Sequence, residues 1–381
     1  MISSRIPIDW ESSEWALRAE EFRRNQSGID LTISSPLRAG MKLDSKFLQT
    51  ILGEWEIDKW QPDCRGSQSV RELLAHYETK KGIESTAEDY ILLPGTSDAF
   101  SLLFKVFTEN QERILVPKPG YPLLEVLASL DGVQCVPYTL QWDQLQWNVD
   151  RESLLSAPEN AKVLLVVSPN NPTGSIPSLQ EWEWITEYCQ SRHMALIVDE
   201  VFADYLFESA ILPPWRDMAK RIPIARLGGL SKSVGTPQVK VAWIWFDAPL
   251  IWRDELWRAM EYVADAYLGV STLAETIAPA LLQQGETFRK SLQERLLVNK
   301  EYLKLQLEQA SLTMPILQGG WYACFQIPNI EDEAYCIQAM KRGVLAQPGF
   351  FFDFAEENWI VVSLLASPND FSVGLKRLLQ A

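Results

Sequence analysis

Through the middle of the chain, short apolar runs alternate with stretches whose apolar residues recur every three or four positions. The runs at Tyr90–Leu93, Arg113–Val116, Cys135–Leu140, Lys162–Val167, Met194–Val198, Ile222–Leu227 and Val239–Phe246 are rich in Val, Ile and Leu without strict alternation. Such runs predict strands covered on both faces. Helical spacing fills several of the gaps, at Ser97–Thr108, Tyr121–Leu130 and Gln180–Arg192. This order predicts an α/β fold built on a mainly parallel sheet wound with helices.

From Gly285 the period changes. Phe288, Leu292, Leu296, Asn299, Leu303 and Leu307 fall on one face of a single long helix reaching Ala310. Strand-like runs at Tyr322–Ile327 and Trp359–Leu365 follow, in an α+β arrangement. A chain of 381 residues is long enough for two domains. The expected division is a large domain over 46–284 and a smaller α+β domain formed by 1–45 with 285–381, because chain termini often pack side by side.

Composition removes several function classes. The net charge of -15 repels polyphosphate, so neither nucleic acid nor an anionic membrane is an expected partner. The opening MISSRIPIDW has neither the basic start nor the apolar run of a signal peptide, and no apolar stretch reaches the ~18 residues of a membrane span. The expected location is the cytoplasm. The five cysteines are scattered with no CxxC pair, which suits reduced thiols. With only His76 and His193 present, no metal site is expected. The 15 tryptophans read as core and interface packing.

Three segments carry chemistry, each at the C-terminal end of a predicted strand, the edge where wound sheets collect ligands. They are Ser168-Pro169-Asn170-Asn171-Pro172-Thr173-Gly174, then Asp199-Glu200-Val201-Phe202, then Ser231-Lys232-Ser233. An amide, a carboxylate and an amine thus converge on one edge. A fourth segment, Leu93-Pro94-Gly95-Thr96-Ser97, opens a helix and offers backbone N–H groups and hydroxyls suited to a phosphate.

In that order, NNPTG, DEVF and SKSVGTP closely resemble the class I/II aminotransferases and their relatives, the fold-type I pyridoxal-phosphate enzymes, and the resemblance runs over nearly the whole chain. It implies that Lys232 forms an imine with the aldehyde of pyridoxal 5′-phosphate and later shuttles the proton at the substrate α-carbon. Asp199 corresponds to the carboxylate that pairs with the pyridinium nitrogen, although a helix cap would look the same. Asn171 corresponds to the amide donating to the 3′ oxygen, in a segment that is also a turn. By the same resemblance Gly95, Thr96 and Ser97 cradle the phosphate, with Ser231 and Lys240 beside them. Lys240 takes the place of the usual arginine, keeping the charge without the bidentate fork. Tyr121 corresponds to the aromatic stacked on the ring, against the alternative of a core tyrosine.

A homodimer is implied too. Trp60 occupies the place from which a tyrosine commonly reaches the neighbouring subunit's phosphate, and Ser271 with Thr272 resembles another contact across the interface. Two departures matter. Phe202 replaces a tyrosine, so the 3′ oxygen loses one donor. Val361 replaces the arginine that binds the substrate α-carboxylate, and valine cannot hold a charge. Arg38, in the N-terminal stretch with Ser34, is the candidate replacement, with a solvent-exposed arginine as the plain alternative. The resulting expectation is an aminotransferase acting on an amino acid and a 2-oxo acid. The alternatives are another reaction on the same cofactor, decarboxylation or β-elimination, or a non-catalytic cofactor-binding regulatory protein.

Overall fold

The structure is a computed structural model that describes residues 2–3, 5–6, 12–43, 46–55, 62–208 and 211–380. Its strands are β1 (Ile29–Asp30), β2 (Tyr90–Leu93), β3 (Arg113–Lys118), β4 (Gln134–Trp142), β5 (Trp147–Val149), β6 (Ala161–Val167) and β7 (Ala195–Asp199). They continue with β8 (Ile224–Gly229), β9 (Ala242–Asp247), β10 (Tyr322–Gln326), β11 (Val344–Leu345), β12 (Gln347–Pro348) and β13 (Trp359–Ser363).

Eight of them form one sheet in the order β2-β9-β8-β7-β6-β3-β4-β5. The run β8-β7-β6-β3-β4 is parallel throughout. β9 lies antiparallel to both β8 and β2, so β2 again points the same way as β8. From β3 the chain steps outward to β4, whereas from β6 it steps the opposite way through β7 to β8. That reversal opens a crevice at the C-terminal ends of the strands.

Side-chain parity explains why these runs lack alternation. Along β6, Val163, Leu165 and Val167 join a core with the helices Thr96–Phe107, Leu123–Asp131 and Leu250–Tyr267, while Leu164 and Val166 join a second core on the other face. Both faces are covered, so both must be apolar. The second core continues without a break into the C-terminal part, through Trp321, Phe325 and Trp359 to Leu375.

A three-stranded sheet, β10-β13-β12, forms the centre of that part, and β1 pairs in parallel with β11 through Ile29 and Val344. The N-terminal segment is thereby stitched onto the C-terminal one. In chain order, one 38-residue helix, Thr272–Gln309, lies between the last strand of the large sheet and β10. It packs Gly285 so tightly on Val234 that a Cβ there would lie 2.3 Å from Val234 Cγ1. Further along, the Asn299 amide donates to the carbonyls of Leu364 and Ala366, both at 2.8 Å, just beyond β13.

This helix starts at Thr272, where sequence periodicity predicts a start at Gly285. Pro279 is the reason, since an interior proline normally ends a helix. Here Ser271 caps the first turn, accepting from the Ala274 N–H at 3.3 Å, and Ala274, Ala278, Leu281 and Leu282 are buried on either side of the proline. Tertiary packing overrides the local preference. The strand predicted from Val239 likewise begins later, at Ala242, because Lys240 adopts a left-handed conformation with φ of 61°.

Candidate active site

The turn after β6 is built by Asn170. Its side-chain oxygen accepts from the Thr173 N–H at 3.2 Å and the Thr173 hydroxyl at 2.9 Å, and the Gly174 N–H closes on the Asn170 carbonyl at 2.8 Å. Gly174 has φ of +67°, and a Cβ there would come within 2.1 Å of Leu317 Cδ1. With the turn complete, the neighbouring Asn171 needs nothing from its own loop. It is buried, and its amide oxygen has no hydrogen-bond partner. A buried amide left this way is costly unless something else satisfies it.

Asp199 closes β7 and accepts from the Val201 N–H at 3.1 Å. Burial pushes its carboxyl up to about 6, against the pull of that N–H and of Lys232. The Lys232 amine moves the other way: burial lowers it, and Asp199 only partly restores it. Its Nζ lies 5.2 Å from the Trp321 ring centre and 5.8 Å from that of Phe202. A carboxyl and an amine that each resist charging are thus held by two aromatic rings and the end of a sheet.

β2 ends at the same edge, and the helix Thr96–Phe107 begins three residues later with Gly95 at its cap. A Cβ on Gly95 would sit 3.1 Å from Lys240 Nζ and 3.0 Å from Asp98 Oδ2. The glycine keeps the helix start free of a side chain between the Lys240 ammonium and the Asp98 carboxylate, where backbone N–H groups can cradle a phosphate oxygen.

Asn171, Asp199 and Lys232 share one cavity of about 350 Å³ with Thr96 and Ser97 of that helix start, while Gly95 and Lys240 are not among its lining residues. One wall comes from the large sheet and carries Thr96, Ser97, Asn171, Asp199, Ser231 and Lys232, with Tyr121 and Phe202 at its margin. Tyr121 is 48% exposed, which rules out the core-tyrosine alternative. The opposite wall comes from the N-terminal segment and the small sheet, through Thr32, Ser34, Tyr322, Gln347 and Phe352. The Ser34 hydroxyl hydrogen-bonds the Tyr322 phenol, which burial holds protonated.

Other expected residues fall elsewhere. Arg38 is exposed, lies on the turn after Ser34 and is not among the cavity-lining residues. Val361 is fully buried in β13 between Cys324 and Gln347. Ser271 caps the long helix. Trp60 lies outside the described residues. Among the described residues no cluster suits a metal ion, and no helix is long and apolar enough to cross a membrane.

Thr32, Tyr322, Gln347 and Phe352 were not legible as site residues. They lie 200 residues before Lys232 or on its far side in sequence and form no motif, so only the tertiary fold assembles them. Trp321, whose ring faces Lys232, gives no sequence signal either.

A sequence model of the family described as "Aminotransferase class I and II" matches residues 50–378. Among curated proteins, tyrosine aminotransferase of Dictyostelium discoideum is 28% identical over 69% of this chain and 64% of that protein. Glutamate-pyruvate aminotransferase of Haemophilus influenzae is 24% identical over 61% of this chain and 58% of its own length. The chain therefore spans less than two thirds of the length of these relatives. In three dimensions, alanine aminotransferase from Pyrococcus furiosus superposes with a TM-score of 0.86 at 21% identity, covering 97% of this chain and 99% of that one.

Proposed function

We propose, for a chain that belongs to the class I and II aminotransferase family, that it holds pyridoxal 5′-phosphate at Lys232 and transfers an amino group between an amino acid and a 2-oxo acid. The observation that carries this reading is the meeting of Lys232, Asp199 and Asn171 in one cavity beside the Gly95 cradle. The Asn171 side chain in the cavity lining, whose NH2 can donate to an oxygen, and the side-chain-free helix start at Gly95 fit a phosphorylated pyridine with an oxygen next to its aldehyde.

Bound there, the group supplies an aldehyde to capture an amine and a protonated ring that withdraws the electron pair left at the substrate carbon. The protein's own residues do the rest. Lys232, its positive form disfavoured by burial, presents a free amine as nucleophile and afterwards carries the proton at the substrate α-carbon. Asp199, whose carboxyl burial raises to about 6 despite Lys232, would accept the ring N–H and be held ionised beside it. Asn171 donates its amide to the ring oxygen. Gly95, Thr96 and Ser97 offer their N–H groups at a helix start, and Ser231 and Lys240 complete the phosphate contacts. Phe202 and Trp321 keep water from the amine, and Phe202 withholds the hydroxyl a tyrosine would add.

Ser34, with Tyr322 and Gln347, forms the neutral polar surface that receives the substrate. The same reading divides the chain into 46–284 and 1–45 with 285–381, supported by the β1–β11 pairing. It makes the protein a homodimer, supported by Tyr262, Tyr267 and Leu268, all strongly exposed beside Ser271. Five cysteines with no disulfide among them favour the cytoplasm.

Incubating the purified protein with tyrosine, alanine, aspartate and other amino acids, while recording cofactor absorbance, tests the proposal. Conversion to the amine form of the cofactor with release of a 2-oxo acid supports it. Release of carbon dioxide or ammonia instead establishes the second reading, a decarboxylase or β-lyase, which Val361 in place of an arginine keeps open. No change with any amino acid leaves a cofactor-binding regulatory protein.

A further inference from the structure

The element that carries Lys232 is a single helical turn, Leu230–Ser233. A helix this short cannot satisfy its own C-terminal carbonyls. Tyr205 does so from outside: its fully buried hydroxyl donates to the Ser233 carbonyl at 2.7 Å and leans on the Lys232 carbonyl at 3.2 Å. The preceding residue, Asp204, accepts the Ser233 hydroxyl at 2.5 Å. Asp204 is in turn anchored, accepting from the Tyr77 hydroxyl and from Lys81 Nζ, both at 2.7 Å.

The groups facing this anchor belong to several elements. Glu78 lies 3.3 Å from Lys81 Nζ, and Arg289 Nη1 approaches the Ser233 hydroxyl at 3.5 Å from the long helix. Burial opposes a charge on Asp204, but Lys81 and the hydroxyls of Ser233 and Tyr77 outweigh it and hold the carboxyl at about 2. The anchor is therefore an ionised acceptor throughout the working pH range.

Neither Asp204 nor Tyr205 lines the cavity that contains the Lys232 amine. Both do sit on the loop that begins at Asp199. One short segment thus ends in the carboxylate at one side and grips the backbone of the lysine at the other. We propose that Asp204 and Tyr205 are positioning residues, which clamp the Lys232 turn to the Asp199 loop and fix the buried position of the amine. They act through the main chain, not on reacting atoms.

The inference rests on the reading of Lys232 as the reactive amine. It is best tested on that amine directly, in cofactor-free protein, so that it does not depend on turnover. The experiment is competitive acetylation with acetic anhydride across a pH series, read by mass spectrometry of the Lys232 peptide, with Lys290 as an exposed internal standard. Tyr205→Phe keeps the ring against Trp321, at 5.5 Å between centres, and removes only the hydroxyl. Asp204→Asn keeps an acceptor for Ser233 and removes the charge that holds Lys81. If the clamp keeps Lys232 away from water, Tyr205→Phe should raise its apparent pKa by about one unit, cutting its labelling roughly tenfold at a pH below both values. Asp204→Asn should shift it the same way by less. A lowered melting temperature with the Lys232 pKa unchanged or lower in both variants would mean a merely structural pair, and would overturn the proposal. A failure of the cofactor reading would show separately, as wild-type protein that takes up no pyridoxal phosphate.

Discussion

The two walls of the cavity are made from different materials. The wall on the large sheet has the amine, the carboxyl, the amide and the hydroxyls, each set at a strand end or a helix start, with the carboxyl further held by the Val201 N–H. The wall from the N-terminal segment and small sheet is neutral, combining Thr32, Ser34, Tyr322, Gln347 and Phe352, and keeps Val361 turned into its core. Reactive groups need fixed geometry, which strand ends supply. Selection of a substrate needs only a surface of suitable shape and polarity, which can change while the chemistry stays. The family resemblance is accordingly strong on one wall and broken on the other.

Lys232→Ala attacks the reactive wall at its centre and carries the largest expected effect. Loss of the cofactor's lysine-linked absorbance should accompany a fall in turnover on the order of 10²–10⁴-fold from the missing proton transfer alone. Peptide mapping after borohydride reduction of the wild type checks the assignment, and label on a lysine other than Lys232 would reject it.

Val361→Arg asks whether the neutral wall can be converted to the family pattern. Val361 has no exposed surface, and a charge there meets Cys324 and Gln347 on its two neighbouring strands. We expect a loss of roughly 3–5 kcal/mol, the scale of an uncompensated buried charge, in urea denaturation. A stable variant with improved affinity for amino acids would show instead that the wall is plastic and differs from its relatives by one side chain.

Asp199→Asn separates function from stability on the reactive wall. A carboxyl whose folded pKa is raised from 3.8 to about 6 binds protons better in the folded state than in the unfolded chain. Its contribution is fully present below the unfolded value and is lost as pH rises through about 6, so that above this range ionisation weighs against folding. In cofactor-free protein at pH 7.5 the asparagine variant should therefore be more stable by roughly 1–3 kcal/mol, an advantage that disappears near pH 4. Calorimetry at the two pH values checks it. The same variant should bind cofactor poorly, because the ring nitrogen loses its anionic partner.

Arg38→Ala should do least. With Arg38 exposed and off the cavity, KM for an amino-acid substrate should change less than about twofold, as expected of a surface substitution. A tenfold rise would return Arg38 to the site and remove the contrast between the walls.

Much of the large sheet was legible because each strand is a run of β-branched and aliphatic residues between helical periods. The reactive wall was legible because its residues cluster in short segments at strand ends. Parity on both faces of β6 left a clear signature, and so did the turn chemistry of Asn170-Asn171-Pro172-Thr173-Gly174. The early start of the long helix was hidden by Pro279, whose local penalty is outweighed by burial of the alanines and leucines around it. Tyr322 and Gln347 were hidden for another reason: they reach the cavity through pairing of β10 and β12 with β13, with Phe352 following on the helical turn Gly349–Phe352, and nothing in their immediate sequence marks that pairing. Tyr205 and Asp204 leave no sequence signal either, since a clamp on a carbonyl has no residue pattern of its own.

The long helix makes the two walls mechanically dependent on each other. At 1.5 Å per residue, the span from Gly285 to Asn299 is about 21 Å. Gly285 rests against Val234, just past the lysine turn, and has no side chain to wedge it, so it serves as a fulcrum. Asn299 grips the chain beyond β13 at the far end, like a hand on a lever. A tilt of only about 5° about that fulcrum displaces the grip by roughly 2 Å, on the geometry of a rigid rod. A displacement of the neutral wall carried by this helix would therefore reach a contact one residue removed from the Lys232 turn.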